Sequence, residues 1–260
     1  IHFKMASENK ISVSPPQISA GISQVLVGSV SYFGTIVVFL LAFYLREFPK
    51  VPFPVVGSLL ASDGGFGEWT SAGYVLMALW CFHFIRRFVE VLFVHDYRSR
   101  LDYLEGVGTP VYYWVFSFWV GLSLRSDLGY VNTHLPLFVI GSLVFLVGEV
   151  GNGVYHLELR NLRSSKNNHL LYQTKSQHVV PHGLMFELVS CPHYFFEIIS
   201  WLGFSLATWA LSVIVFLAAT VVTLCFYGYQ KHKAYRAEFD GAEGRELYPP
   251  NRRALIPFVF

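Results

Sequence analysis

The sequence is short of charge. Asp, Glu, Lys and Arg make up 14% of its 260 residues, against about 25% in soluble globular domains. That deficit excludes an ordinary soluble domain. The 53% hydrophobic content and the mean hydropathy of +0.45 point instead to a bilayer. No polar segment is long enough to fold alone, so residues 1–260 read as a single membrane domain. Cysteine is scarce too. Cys81, Cys191 and Cys225 each sit in or beside an apolar run, and an odd count so placed excludes a disulfide framework. No Cys-x-x-Cys pair is present and no metal is expected. The Gly64, Gly65 and Gly67 cluster opens no strand–helix unit, and Gly151 and Gly153 fall inside an apolar run. A soluble dinucleotide or P-loop fold is therefore excluded. Net charge is only +2, so nothing calls for nucleic acid.

What is abundant is long apolar runs. A crossing helix needs about 20 largely apolar residues. The runs predict an all-α, multispanning helix bundle of seven transmembrane helices: Ile18–Tyr44, Val51–Ala61, Ala72–Val94, Thr109–Leu124, Leu135–Tyr155, Phe186–Thr208 and Trp209–Tyr229. Val51–Ala61 is the shortest, with Pro52 and Pro54 at its start. On this count, sixteen of the 19 basic residues follow odd-numbered spans, all but Lys4, Lys10 and Arg125. The positive-inside rule then puts the C-terminus in the cytosol and the N-terminus outside or in the lumen. The expected home is the endoplasmic reticulum in a eukaryote or the inner membrane in a bacterium.

Ionisable groups within spans usually face the bundle interior. Glu149, Asn152, His156, Arg160 and Arg163 follow one another at steps of three and four, which is one helical face. Glu187, Ser190, Cys191, Tyr194 and Glu197 repeat the pattern on the next span. Two such stripes suggest a lined cavity; interhelical hydrogen bonding is the plainer alternative. His83, Arg86, Arg87 and Glu90 crowd the end of the third span. There the arginines suit either a phosphate clamp or a headgroup anchor. Spacing alone leaves enzyme and transporter both open.

The segment Pro181-His182-Gly183-Leu184-Met185-Phe186-Glu187-Leu188-Val189-Ser190 resembles the pattern P-x-G-G-L-F-x-x-V-S of the steroid 5α-reductase family. Cys191-Pro192-His193-Tyr194-Phe195-Phe196-Glu197 continues it, and Lys231-His232-Lys233-Ala234-Tyr235 and Arg252-Arg253-Ala254-Leu255-Ile256-Pro257-Phe258 complete it. The match is closest over 152–260. Cys81-Phe82-His83-Phe84-Ile85-Arg86-Arg87, Tyr112-Tyr113-Trp114 and Val189-Ser190-Cys191-Pro192 look like the related trans-2-enoyl-CoA reductases. Those carry an N-terminal ubiquitin-like domain, and a first span near residue 18 leaves no room for one. The expectation therefore leans to the steroid branch.

The resemblance implies NADPH-dependent reduction of a carbon–carbon double bond conjugated to a carbonyl, on a 3-oxo-Δ4 steroid or alternatively a trans-2-enoyl thioester. The implied partners are that small hydrophobic substrate and membrane lipid. It implies Glu47 as the acid at the carbonyl. Phe84 stands where the steroid branch has its partner tyrosine. Tyr194, which matches the enoyl-branch tyrosine, is expected as second donor. Arg87, Arg98, Asn152, Arg163, His193, Tyr235 and Arg252 are the expected cofactor residues, and Phe84 and Glu197 are expected in the substrate pocket.

Overall fold

A computed structural model describes residues 21–45, 71–95, 97, 100–124, 134–162, 179–242 and 246–260. Six helices carry these residues: α1 Gln24–Leu45, α2 Ser71–Phe93, α3 Tyr103–Ser123, α4 Leu135–Leu162, α5 Pro192–Thr208 and α6 Leu211–Glu238. A two-residue antiparallel ladder ties β1 Ile22–Ser23 to β2 Arg100–Leu101, just ahead of α1 and α3. A one-turn 3₁₀ helix, Leu184–Glu187, precedes α5. The expected span Val51–Ala61, and with it Glu47, Arg98 and Arg163, lies outside the described residues.

Local chemistry sets the helix ends. Asp102 caps α3 by accepting a hydrogen bond from the Glu105 amide at 2.8 Å. Pro192 opens α5 at a position that needs no amide donor. The sixth span was expected from Phe186, but α5 starts at Pro192, because 184–187 wind into the tighter turn. Trp209 ends α5 in the left-handed region (φ 49°), and α6 begins two residues later. Within α1, Ser31 and Thr35 donate to carbonyls one turn back at 2.7 Å, satisfying their hydroxyls inside an uncharged helix. By length and composition, α1, α4 and α6 qualify as membrane spans. The α2 helix carries too many ionisable groups to qualify, and α5 has only 17 residues.

Contacts fix helix direction. Phe39 stacks on Trp80 at 5.3 Å while Phe33 meets Phe88 at 6.0 Å, so α1 and α2 are antiparallel. Trp114 donates to the Ser31 carbonyl and Ser117 to that of Thr35, so α1 and α3 are parallel. His83 meets Glu149 and Glu90 meets His156, so α2 and α4 are parallel. The α4–α5 pair is antiparallel and very close: a Cβ on Gly141, Gly148 or Gly203 would strike the facing backbone of Ala207, Ser200 or Phe145. Small residues at such spacing let membrane helices touch backbone to backbone. Trp201 on Phe216 and Tyr194 on Lys231 make α5 and α6 antiparallel.

The six helices therefore alternate in direction along the chain. These six helices cover six of the seven expected runs, three of them long and apolar enough to cross a membrane; the seventh, Val51–Ala61, lies outside the described residues. The starts of α1, α3 and α5 and the ends of α2, α4 and α6 share one face. Every Lys and Arg among the described residues lies in the half of the bundle nearest that face or beyond it: Arg86, Arg87, Arg100, Arg160, Lys231, Lys233, Arg236, Arg252 and Arg253. At mid-bundle, Phe39, Trp80, Phe84, Phe145, Trp201, Phe204 and Phe216 form a closed aromatic core.

Candidate active site

The polar groups gather between that core and the basic face, where α2, α4 and α5 meet. Glu149, 2% exposed, accepts from His83 Nδ1 at 2.7 Å and from Arg86 Nε at 2.8 Å. His83 Nε2 lies 3.3 Å from Glu197 Oε1, which also accepts from the Trp201 indole at 3.3 Å. Both nitrogens of His83 thus face carboxylates, a geometry that a doubly protonated ring satisfies. Glu90 pairs with Arg86, with Arg87 Nη1 at 2.6 Å and with His156 Nδ1 at 2.7 Å. Arg87 also donates to the Tyr32 hydroxyl at 3.3 Å, with its guanidinium 5.4 Å over that ring. Charges at this depth persist only when paired and hydrogen-bonded. Here the pairing joins α1, α2, α4 and α5 into one frame.

Glu90, His95 and His156 hold ligand atoms within 4.8 Å of one another, a spacing suited to a metal ion. Arg87 Nη1 already stands among them, 2.6 Å from Glu90 and 2.8 Å from His156. The cluster carries its own cation.

Beside this frame lie buried polar atoms with no partner among the described residues. Asn152 donates to the His193 carbonyl at 2.7 Å, but its Oδ1 accepts nothing. His193 Nδ1 is likewise unmatched, on a ring 5.4 Å from that of His156. Arg252, 2% exposed, donates through Nη1 to the Pro181 carbonyl at 2.9 Å, while its Nε has no acceptor. Buried polar atoms are normally hydrogen-bonded, so this group is shaped for a polar ligand.

The C-terminal tail closes the site. Ser190 and Cys191 amides donate to the Arg253 and Ala254 carbonyls at 2.8 and 3.1 Å. The Ser190 hydroxyl sits 2.6 Å from both His232 Nδ1 and the Tyr248 hydroxyl. Tyr248 stacks on Tyr235 at 5.8 Å and lies under the Arg252 guanidinium at 4.9 Å. Burial pushes the Tyr248 phenol up, opposed by its bonds to Ser190 and Arg252. At the rim, Glu187 accepts from the Gly183 amide at 2.7 Å, in a turn where Gly183 has φ 91°. That bond, with His182 and Arg252 alongside, holds its carboxyl below the usual range. His182 bridges Glu187 and Glu246.

Of the residues singled out in the sequence, Phe84, Arg87, Asn152, His193 and Glu197 converge in this region. Tyr235 and Arg252 join it through the tail. Tyr194 lies two residues into α5, 4.2 Å from the His193 ring and facing α6. Its ring lies 5.2 Å from the Lys231 ammonium. Glu187, Ser190 and Cys191 precede α5 rather than sharing a helical stripe with Tyr194. Sequence reasoning missed Tyr32, Tyr248 and the role of Ser190 as a joint. A tyrosine within the otherwise apolar first span was the available signal for Tyr32.

A family model described as 3-oxo-5-alpha-steroid 4-dehydrogenase matches residues 103–260. The chain is 32% identical over 186 residues to a very-long-chain enoyl-CoA reductase of Dictyostelium discoideum, covering 70% of this chain and 57% of that protein. It is 30% identical over 223 residues to a 3-oxo-5-alpha-steroid 4-dehydrogenase 1 of Rattus norvegicus, covering 84% and 79%. A steroid 5-alpha-reductase of Arabidopsis thaliana is 38% identical over 123 residues, 47% of this chain and 42% of that one. The chain spans little more than half the length of the enoyl-CoA reductases it matches.

Proposed function

Because the chain belongs to the 3-oxo-5-alpha-steroid 4-dehydrogenase family, we propose that it reduces a carbon–carbon double bond conjugated to a carbonyl, with NADPH as reductant and a 3-oxo-Δ4 steroid as substrate. The observation that carries this reading is the set of unmatched buried atoms on Asn152, His193 and Arg252 beside a preorganised ionic frame. Asn152 offers an acceptor, Arg252 a charged donor, and His193 a ring nitrogen that serves either way. This mix fits the amide and phosphate groups of a dinucleotide. The stacked Tyr235–Tyr248 pair offers a flat aromatic face beside them. NADPH, when bound, supplies the hydride to the β carbon.

The chain's own task is then to hold the carbonyl oxygen as negative charge grows on it and to return a proton to the α carbon. Tyr194 is assigned to proton return instead of to the carbonyl, because its phenol sits near the basic face. Lys231 lies over the Tyr194 ring and can donate to the phenol oxygen, which leaves the phenol's own proton to be given. Arg87 contributes as a pillar of the frame, since its guanidinium is spent on Glu90, His156 and Tyr32. Arg98 and Arg163 are assigned to the cofactor phosphates. With the basic face in the cytosol, the cofactor pocket opens where NADPH is found.

A second reading, reduction of a trans-2-enoyl thioester, is favoured by Phe84 and by the similarity to enoyl-CoA reductases. The wider coverage of the rat steroid enzyme favours the first. NADPH oxidation by purified protein in detergent decides. Turnover with a 3-oxo-Δ4 steroid supports the proposal, turnover with a trans-2-enoyl-CoA alone supports the second reading, and turnover with neither refutes both.

A further inference from the structure

We propose that Tyr32, on α1, is a catalytic residue that donates a hydrogen bond to the substrate's carbonyl oxygen. This rests on the conjugated-carbonyl reduction proposed above and names a group which that proposal lacks. Phe84 sits at the inner end of the polar frame, fully buried, and offers no hydroxyl. The rings beside it are phenols: Tyr32 at 6.2 Å and Tyr113 at 5.8 Å, themselves edge to face at 5.5 Å. Tyr32 lies eight residues into α1 and Phe84 nine residues before the end of α2. Both are therefore roughly 12–14 Å in from the basic face at 1.5 Å per residue.

The hydroxyl of Tyr32 is poised to give its proton. Among the described residues it makes one hydrogen bond, and in that bond it accepts, from Arg87 Nη2 at 3.3 Å. Its own O–H is therefore uncommitted. A guanidinium donating to a phenol oxygen draws electron density away and strengthens that phenol as a donor. Arg87 cannot swing off, because Glu90 and His156 hold its other end. The carboxylates nearby are already engaged: Glu90 with Arg86, Arg87 and His156, and Glu197 with His83 and Trp201. Tyr32 is partly exposed, whereas Phe84 is fully buried. A fixed, polarised donor is what a developing oxyanion requires.

The test uses the full-length protein in detergent, with Tyr32→Phe and Tyr113→Phe. Two ligands are compared for binding without turnover: a conjugated ketone, and its analogue with CH₂ in place of the carbonyl. Tyr32→Phe is expected to lower kcat on the ketone about 100-fold. It should weaken ketone binding while leaving the deoxy analogue within about twofold, because only the ketone has an oxygen to lose. Tyr32→Phe/Phe84→Tyr should recover part of the rate. Turnover of Tyr32→Phe within about threefold of wild type overturns the assignment. So does equal weakening of both ligands, which marks a packing role. So does finding the ketone-specific loss in Tyr113→Phe alone. Wild-type protein that reduces neither class of conjugated carbonyl overturns the reductase reading instead. The Tyr32 assignment then stands or falls on the ketone-versus-deoxy binding difference, measured in the same preparation.

Discussion

Glu149 shows how much a single carboxylate can hold. It takes one bond from His83 and one from Arg86, and it is buried. Replacing it with glutamine keeps the shape and removes the charge. Two cationic groups at depth then each keep only one of their two carboxylates, Arg86 that of Glu90 and His83 that of Glu197, and weakening such buried pairs costs up to roughly 3–5 kcal/mol. Glu149→Gln is expected to lower the thermal unfolding temperature in detergent sharply; an unchanged melting curve would show the frame to be dispensable. Tyr194 carries a different expectation. As the proton-returning group, Tyr194→Phe should cut kcat about 100-fold with little change in KM, and should alter the solvent isotope effect. A change in KM alone would make it a binding residue. The members of these clusters were visible in the sequence as polar residues at helical spacing. Their pairing was not. Nothing in the order of residues says that His83 answers Glu149 and Glu197 at once, or that Tyr32 answers Arg87, because those contacts need helix directions the pattern does not encode.

Elements were legible to different degrees. Hydropathy placed both ends of α2, the end of α1 and the start of α4 to within one residue, since a long apolar run has few other uses, but missed the start of α1 by six residues and the end of α4 by seven. The start of α5 was misjudged by six residues, although Pro192 marks a good first position. The break at Trp209 carries no glycine or proline, yet the boundary drawn there from composition, between Thr208 and Trp209, coincides with the end of α5. Between α4 and α5 the contact is backbone to backbone, and a testable asymmetry follows. Gly203→Val must separate the pair and should destabilise by about 1–3 kcal/mol. Gly108→Ala on α3 has nothing within 4 Å to strike and should stabilise by roughly 0.5–1 kcal/mol. Thermal melts of the two variants should move in opposite directions. At the rim, Glu187 ties the 182–187 turn to Arg252 and the tail. Its folded pKa lies below the ordinary value near 4.3. Its contribution is therefore complete above that value and is lost as pH falls through the lowered one. Protease cleavage of the tail should rise at acid pH in wild type. In Glu187→Gln it should already be raised at neutral pH and no longer respond to acid.

The whole molecule is polarised. Its described cations crowd one face and its aromatic core fills the middle. A one-sided positive field draws in anions at long range and is screened by salt. NADPH, which carries one more phosphate than NADH, should show the steeper rise of KM with ionic strength; parallel salt responses would count against a cofactor mouth on this face. Alternating helices also make a topology prediction. Reporters placed just before Gln24 and after Phe260 should both read cytosolic, and a split result would restore an odd number of crossings. Charge bias alone could not have chosen between the two arrangements. Moving Arg46 and Lys50 to the far side while bringing Lys4 and Lys10 to the near side leaves the bias as strong as before.

The parallel pairing of α1 with α3 has a consequence for how the chain is made. The carbonyls of Ser31 and Thr35 receive Trp114 and Ser117 from 83 and 82 residues downstream. At 5–20 residues per second of synthesis, the first helix waits on the order of 4–16 s for its neighbour to be translated. During that interval α2 is the only described helix on hand, and it brings Arg86 and His83, whose shared carboxylate Glu149 on α4 is later still. The early hairpin is thus an unfinished object, with the groove along α1 that α3 will fill still open to lipid or to an insertion factor. Slowing the ribosome between residues 95 and 103 should lengthen that exposure and raise the fraction of chains lost to quality control.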